Sequence, residues 1–118
     1  MLARQYRFHG HNSLRNVYRH GRTIRGAQWS IRYCPNERRR CYRAAIVVSR
    51  KVSKSAVVRN RIRRRLYELL REQTGDMRRP YDIVLTVFQV DVSTAPFNEL
   101  TEELCSQLTA AGIIPKNP

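Results

Sequence analysis

Apolar residues along this chain keep a period of two in some stretches and a period near 3.6 in others, and the order of the stretches predicts a mixed fold. Residues 12–20 suit a short helix: Leu14, Val17 and Tyr18 fall at i, i+3 and i+4, and Gly21 supplies the stop. Residues 28–34 alternate, with Trp29, Ile31 and Tyr33 on one face and Ser30 and Arg32 on the other, the pattern of a half-exposed strand. Residues 42–49, carrying Ile46-Val47-Val48, read as a more buried strand. The basic turn between them, residues 35–40, predicts that the two strands form a hairpin. Residues 81–90 hold Ile83, Val84, Leu85, Val87 and Phe88, a run typical of a central strand. A last helix opens at Ser93 or Thr94 with Pro96 in its first turn, and Phe97, Leu100, Leu104, Leu108 and Ala111 form one apolar stripe along it. The order helix, strands, helix, strand, helix is that of a single α+β domain spanning residues 1–118, of which residues 1–10 look like a basic arm.

The helix between the second and third of these strands carries the chemistry. Ser53 or Ser55 caps it and Gly75 ends it. With Arg59 at zero and 100° per residue, Val58, Leu69, Ile62 and Leu66 sit at about 260°, 280°, 300° and 340°, and Leu70 at about 20°. That arc is the buried stripe. Arg63, Tyr67, Asn60, Arg71 and Arg64 lie between about 40° and 140°, with Arg59 at the border and no acid among them. Arg61 and Arg65 point to a third side. A solvated helix face usually mixes signs, because like charges at i, i+4 repel by ~0.2–0.5 kcal/mol per pair. Arg59/Arg63 and Arg61/Arg65 are both such pairs, so this face calls for a polyanion.

Charge distribution sharpens that reading. The whole chain of 118 residues carries +14. Residues 1–67 hold 19 Lys or Arg and one acid, Glu37, for +18; residues 68–118 hold 4 and 8, for −4. Such asymmetry is the electrostatic footprint of a nucleic-acid binder, and the predominance of Arg suits bidentate phosphate contacts. The longest wholly apolar stretch, residues 44–48, is too short for a membrane span or a signal-peptide core. Cys34, Cys41 and Cys105 lack CxxC spacing. A disulfide between Cys34 and Cys41 is geometrically open across the expected hairpin, but a reduced, cytoplasmic protein is the better reading.

Lys51, Lys54, Ala56-Val57-Val58, Arg59-Asn60-Arg61, Arg63-Arg64 and Leu66 together closely resemble the signature of the bacterial ribonuclease P protein component. Val17-Tyr18-Arg19-His20-Gly21 looks like the end of that family's first helix, and Tyr81-Asp82-Ile83-Val84 resembles its last strand. The resemblance implies the order α-β-β-β-α-β-α in a fold like the second domain of ribosomal protein S5. Its β-α-β crossover would be left-handed, against the rule that such connections are right-handed in about 98% of cases.

The function so implied is that of a protein subunit that binds a large catalytic RNA and the 5′ leader of precursor tRNA and assists removal of the leader. The RNA would perform the catalysis and hold the Mg²⁺ ions; the protein alone would bind no cofactor and would be monomeric apart from the RNA. Carried onto this chain, the signature places Lys51, Lys54, Arg59, Asn60, Arg61, Arg63 and Arg64 at the RNA interface. Tyr18, with Trp29, Ile31 or Tyr33, are candidates for a leader-binding cleft, where aromatic faces stack on unpaired bases for ~1–3 kcal/mol each. Core packing is the competing role for each, and the favoured one for Trp29. Leu14 stands where the family usually has Phe, Ser53 where Gly is usual, and Tyr67 where a further basic residue is common.

A self-sufficient nuclease would need clustered carboxylates for Mg²⁺. The nine acids form no DxD or DxE pair, and the one-turn spacing of Glu68 and Glu72 reads as charge balancing at a helix end. His9 and His11, in and beside the basic arm, read as RNA contacts or as residues without a role, rather than as metal ligands. No catalytic or metal-binding residue is assigned. A ribosomal or other structural RNA-binding protein of similar fold is the alternative; it accounts for the charge but not for the signature.

Overall fold

The computed structural model describes residue 8, residues 11–74 and residues 80–114. The rest of the basic arm, with His9, and the helix stop at Gly75 lie outside the described residues. The elements run α1 (His11–His20), β1 (Arg22–Arg25), β2 (Trp29–Pro35), β3 (Arg43–Val47), α2 (Ala56–Gln73), β4 (Tyr81–Val87) and α3 (Phe97–Ala111), with a 3-10 turn at Val90–Ser93 before α3.

The strands form one mixed sheet in the order β1-β2-β4-β3. β2 is antiparallel to β1 and to β4, and β3 is parallel to β4 with Ile46 opposite Leu85. The hairpin expected of β2 and β3 is therefore not formed, because β4 lies between them. Alternation reports which residues share a face but not which strand is the neighbour. β4 takes the middle because it is apolar on both sides: Ile83, Val84 and Leu85 have no exposed surface. Cys34 is opposite Asp82 rather than across a turn from Cys41, and the three cysteines carry no disulfide.

Two ends differ from expectation. The strand of residues 81–90 stops at Val87, and Val90 belongs to the 3-10 turn. α3 begins at Phe97 with Pro96 as its N-cap, not at Ser93 or Thr94. Proline disfavours helical geometry in the residue before it, so the helix cannot start upstream of Pro96.

Alternate strand residues build two unlike faces. Trp29, Ile31 and Tyr33 of β2, Ala44 and Ile46 of β3, and Tyr81, Ile83, Leu85 and Val87 of β4 join one buried cluster. It is completed by Ile62, Leu66, Leu69 and Leu70 of α2 and Leu100, Leu104 and Leu108 of α3. The predicted stripe of α2 is thus the observed one, with Val58 packed at its margin. On the opposite, outer face lie Ser30, Arg32 and Cys34 of β2, Val84 of β4 and Val47 of β3. Among the described residues α1 is the helix that covers it: its Val17 is buried, and Arg32 donates from Nε to the Val17 carbonyl at 3.1 Å.

At the edge of the sheet, α2 shields β3. The Ile46 N–H donates to the Tyr67 hydroxyl at 3.3 Å, and Arg63 Nη2 donates to the Val48 carbonyl at 3.4 Å. Tyr67 thereby satisfies an edge-strand donor that would otherwise face solvent.

Candidate nucleic-acid interface

The loop leading into α2 is braced by serines. Ser55 caps the helix by accepting from the Val58 N–H at 3.3 Å, and its own N–H donates to Ser53 Oγ at 3.2 Å. The Ser53 carbonyl accepts from Arg59 Nη1 at 2.9 Å. Ser53 therefore ties the loop to the helix through both side chain and backbone, a contact that glycine could make only in part.

Beside this cap, Arg50, Lys51, Lys54, Ala56 and Arg59 line a concave basin of about 580 Å³. Lys51 and Lys54 are exposed, and no acid occupies the first turn of α2. A helix N-terminus presents unpaired N–H groups and the positive end of its dipole. Four cations set around it make a surface suited to phosphate. Arg50 was not among the residues predicted from the signature. Its place at the junction of β3 and the loop was the signal that could have added it.

Further along α2, Arg63 Nη1 donates to Asn60 Oδ1 at 2.9 Å, so this pair presents one preset polar unit. Arg61 and Arg64 are exposed. Lys51, Lys54 and Arg59 therefore share the basin, while Asn60 and Arg63 pair with each other further along the helix. Arg64 is exposed beside them in sequence, and Arg61 is exposed on another side of α2. Arg65 is different in kind. Its Nη1 donates to the Val92 carbonyl at 2.7 Å, its Nη2 to the Ala95 carbonyl, and its guanidinium lies 5.3 Å from the Phe97 ring centre. Burial, and then the neighbouring charge of Arg61, lower its pKa from the usual arginine value. Arg65 fastens α2 to the start of α3.

The expected leader cleft is only partly assembled. Tyr18 is 49% exposed at the end of α1. Ile31 and Trp29 have no exposed surface and belong to the cluster beneath α2 and α3, on the face of the sheet away from α1. Neither can touch a ligand beside Tyr18, and Ile31 is a core residue rather than a leader contact. Tyr33 is on that same core face, 8% exposed, with its ring edge-on to Tyr81 at 6.1 Å. It borders a separate pocket of about 290 Å³ with His20, Arg22, Pro35, Tyr81 and Ala111. The backbone of Tyr18 is tied to the outer face by Arg32, whose Nη2 donates to the Tyr18 carbonyl; on that face Val47 is exposed and Ser30 and Thr86 are half-buried.

Asp82 is buried beneath this face and accepts two bonds from Arg43, at 2.9 and 2.8 Å, and one from Asn36 at 3.0 Å. Phe8 stacks on that same Arg43 at 4.9 Å. Among the described residues no group of three or more His, Cys, Asp or Glu is placed to hold a metal ion, and no helix is long and apolar enough to cross a membrane.

Comparison with known proteins agrees with the signature. The family model described as Ribonuclease P matches residues 2–112. A ribonuclease P protein component of Parasynechococcus marenigrum is 36% identical, over 95% of this chain and 97% of that protein. One from Chloroflexus aurantiacus is also 36% identical, over 97% and 83%. In three dimensions the chain superposes on the Staphylococcus aureus RNase P protein with a TM-score of 0.80 at 23% identity, covering 93% of this chain and 98% of that one. The Thermotoga maritima RNase P protein gives 0.74 at 22% identity, covering 84% and 91%. With its arginine-rich helix, its sheet order and these relatives in agreement, the chain belongs to the ribonuclease P protein component family.

Proposed function

We propose that this subunit of ribonuclease P binds the catalytic RNA of the holoenzyme through the basin at the N-terminus of α2 and the exposed arginines beyond it, and contacts the 5′ leader of precursor tRNA through Tyr18. The observation that carries the first part is the crowding of Arg50, Lys51, Lys54 and Arg59 around one capped helix end. Phosphate contacts there fix register and orientation on the RNA. Lys51, Lys54, Arg59, Asn60, Arg61, Arg63 and Arg64 make the interface. For the second part, an exposed tyrosine ring at the end of α1 suits stacking on a base without regard to sequence.

In this reading the hydrolytic chemistry lies with the RNA. Among the described residues the acids form no group placed to hold a metal ion, and the buried Asp82 is engaged by Arg43 and Asn36. The side chains therefore do not suit Mg²⁺, and the metal ions are held mainly by the RNA. The protein acts in the cytoplasm, as a monomer apart from its RNA partners. The test is cleavage of a precursor tRNA at low Mg²⁺ by the protein alone, the ribonuclease P RNA alone, and both. Cleavage only with the RNA present, stimulated by the protein, supports the proposal. Cleavage by the protein alone refutes it.

A further inference from the structure

Arg32 lies on the outer face among the residues that a charge count would give to RNA, yet all three of its nitrogen positions are engaged within the protein. Nε donates to the Val17 carbonyl at 3.1 Å, Nη2 to the Tyr18 carbonyl, and Nη1 to Thr23 Oγ1 at 2.8 Å. The two carbonyls belong to the last turn of α1, where helix acceptors lack intrahelical partners. A cation at this end also meets the negative pole of the helix dipole. The Val17 carbonyl receives a second bond, from the Gly21 N–H at 2.8 Å. Gly21 allows this approach: a Cβ there would stand 2.4 Å from the Val17 oxygen and 2.9 Å from the Tyr33 oxygen. Guanidinium and glycine together clamp the end of α1 against β2.

The geometry points to Arg32 as the positioning residue for leader recognition: by holding the Val17 and Tyr18 carbonyls, it sets where the exposed Tyr18 side chain stands at the end of α1. This inference rests on the proposed contact between Tyr18 and the leader. It assigns Arg32 no direct contact with RNA, since three of its five N–H donors, one on each nitrogen, are already aimed at the protein. A planar fork can bond two adjacent carbonyls at once, which an ammonium on a flexible stem does not reproduce.

The experiment measures equilibrium binding of precursor and mature tRNA to holoenzymes reconstituted with Tyr18→Ala, Arg32→Ala, Arg32→Lys and the Tyr18→Ala/Arg32→Ala double variant. Melting temperature and affinity for the catalytic RNA are recorded for each. Arg32→Ala should reduce the preference for precursor by about the same factor as Tyr18→Ala, and the double variant should lose no more than either single one. Arg32→Lys, which keeps the charge, should fail to restore the preference, and the affinity of every folded variant for the catalytic RNA should stay near wild type. Full preference in Arg32→Lys would mean that charge on the outer face matters and would overturn the positioning role. Should Arg32→Ala not fold, the lysine variant decides alone. A loss in Tyr18→Ala with none in Arg32→Ala overturns this inference but leaves the leader contact standing. No loss in Tyr18→Ala removes both.

Discussion

The two faces of the sheet are made by the same strands from alternate residues, yet they serve opposite ends. The core face is roofed by α2 and α3 and holds Trp29, Ile31 and Leu85 without exposed surface. Among the described residues the outer face has α1 as the helix above it, leaves Val47 exposed, and holds the end of that helix with hydrogen bonds from Arg32 beside the buried Val17. Burial of this kind contributes about 25 cal/mol per Å² of apolar surface removed from water. The core face therefore supplies stability, and the outer face keeps surface available for a ligand.

Truncations on the core face should give the largest effects. Ile31→Ala and Leu66→Ala each remove a fully buried side chain and should lower stability by ~2–5 kcal/mol in denaturant titrations. In holoenzyme that still folds, the Ile31 variant should keep its preference for precursor tRNA. A lost preference without lost stability would return Ile31 to the leader site.

Arg65→Ala comes next. It forfeits charge-assisted bonds to the Val92 and Ala95 carbonyls and should cost about 1–3 kcal/mol of stability, visible as a lower melting temperature. Weakened RNA binding with an unchanged melt would show that Arg65 faces the RNA instead.

Tyr18→Ala inverts that signature. It should leave the melt almost unchanged and reduce the precursor/mature affinity ratio by the value of one stacking contact, ~1–3 kcal/mol or roughly five- to a hundredfold. A destabilised protein with an intact ratio would make Tyr18 a packing residue. The smallest difference is expected at Val47→Ala on the outer face, within about 0.5 kcal/mol of wild type in the same titration. Its neighbour Ile46, on the core face, provides the contrast when truncated to alanine.

Much of this comparison was legible in the chain, and the failures share one cause. The α2 stripe of Ile62, Leu66, Leu69 and Leu70 could be laid out in advance because a 3.6-residue period fixes direction within a single helix. In β2, alternation likewise grouped Trp29, Ile31 and Tyr33 correctly. What it could not supply was which helices would cover that group, so Ile31 and Tyr33 were expected beside Tyr18 when they lie on the opposite face. Strand neighbours are equally long-range, so the expected hairpin of β2 and β3 gave way to β4 between them. β1 has one apolar residue, Ile24, in its four and carries no periodic signal of its own. The arginines show the same limit. Arg64 and Arg65 are adjacent in sequence, and only the tertiary positions of the Val92 and Ala95 carbonyls separate a surface cation from an internal tether.

That adjacent pair provides the most direct test of the claim that exposed arginines on α2 bind RNA while internally bonded ones hold the fold. Affinity for the catalytic RNA is measured across a salt series for wild type, Arg64→Ala and Arg65→Ala at a temperature where all three are folded. For wild type, log K should fall linearly with log salt. Arg64→Ala should flatten the slope by ~0.7–0.9, the value of one phosphate contact, and Arg65→Ala should leave it unchanged. A wild-type slope near zero, or a slope altered by Arg65→Ala and not by Arg64→Ala, would contradict the account.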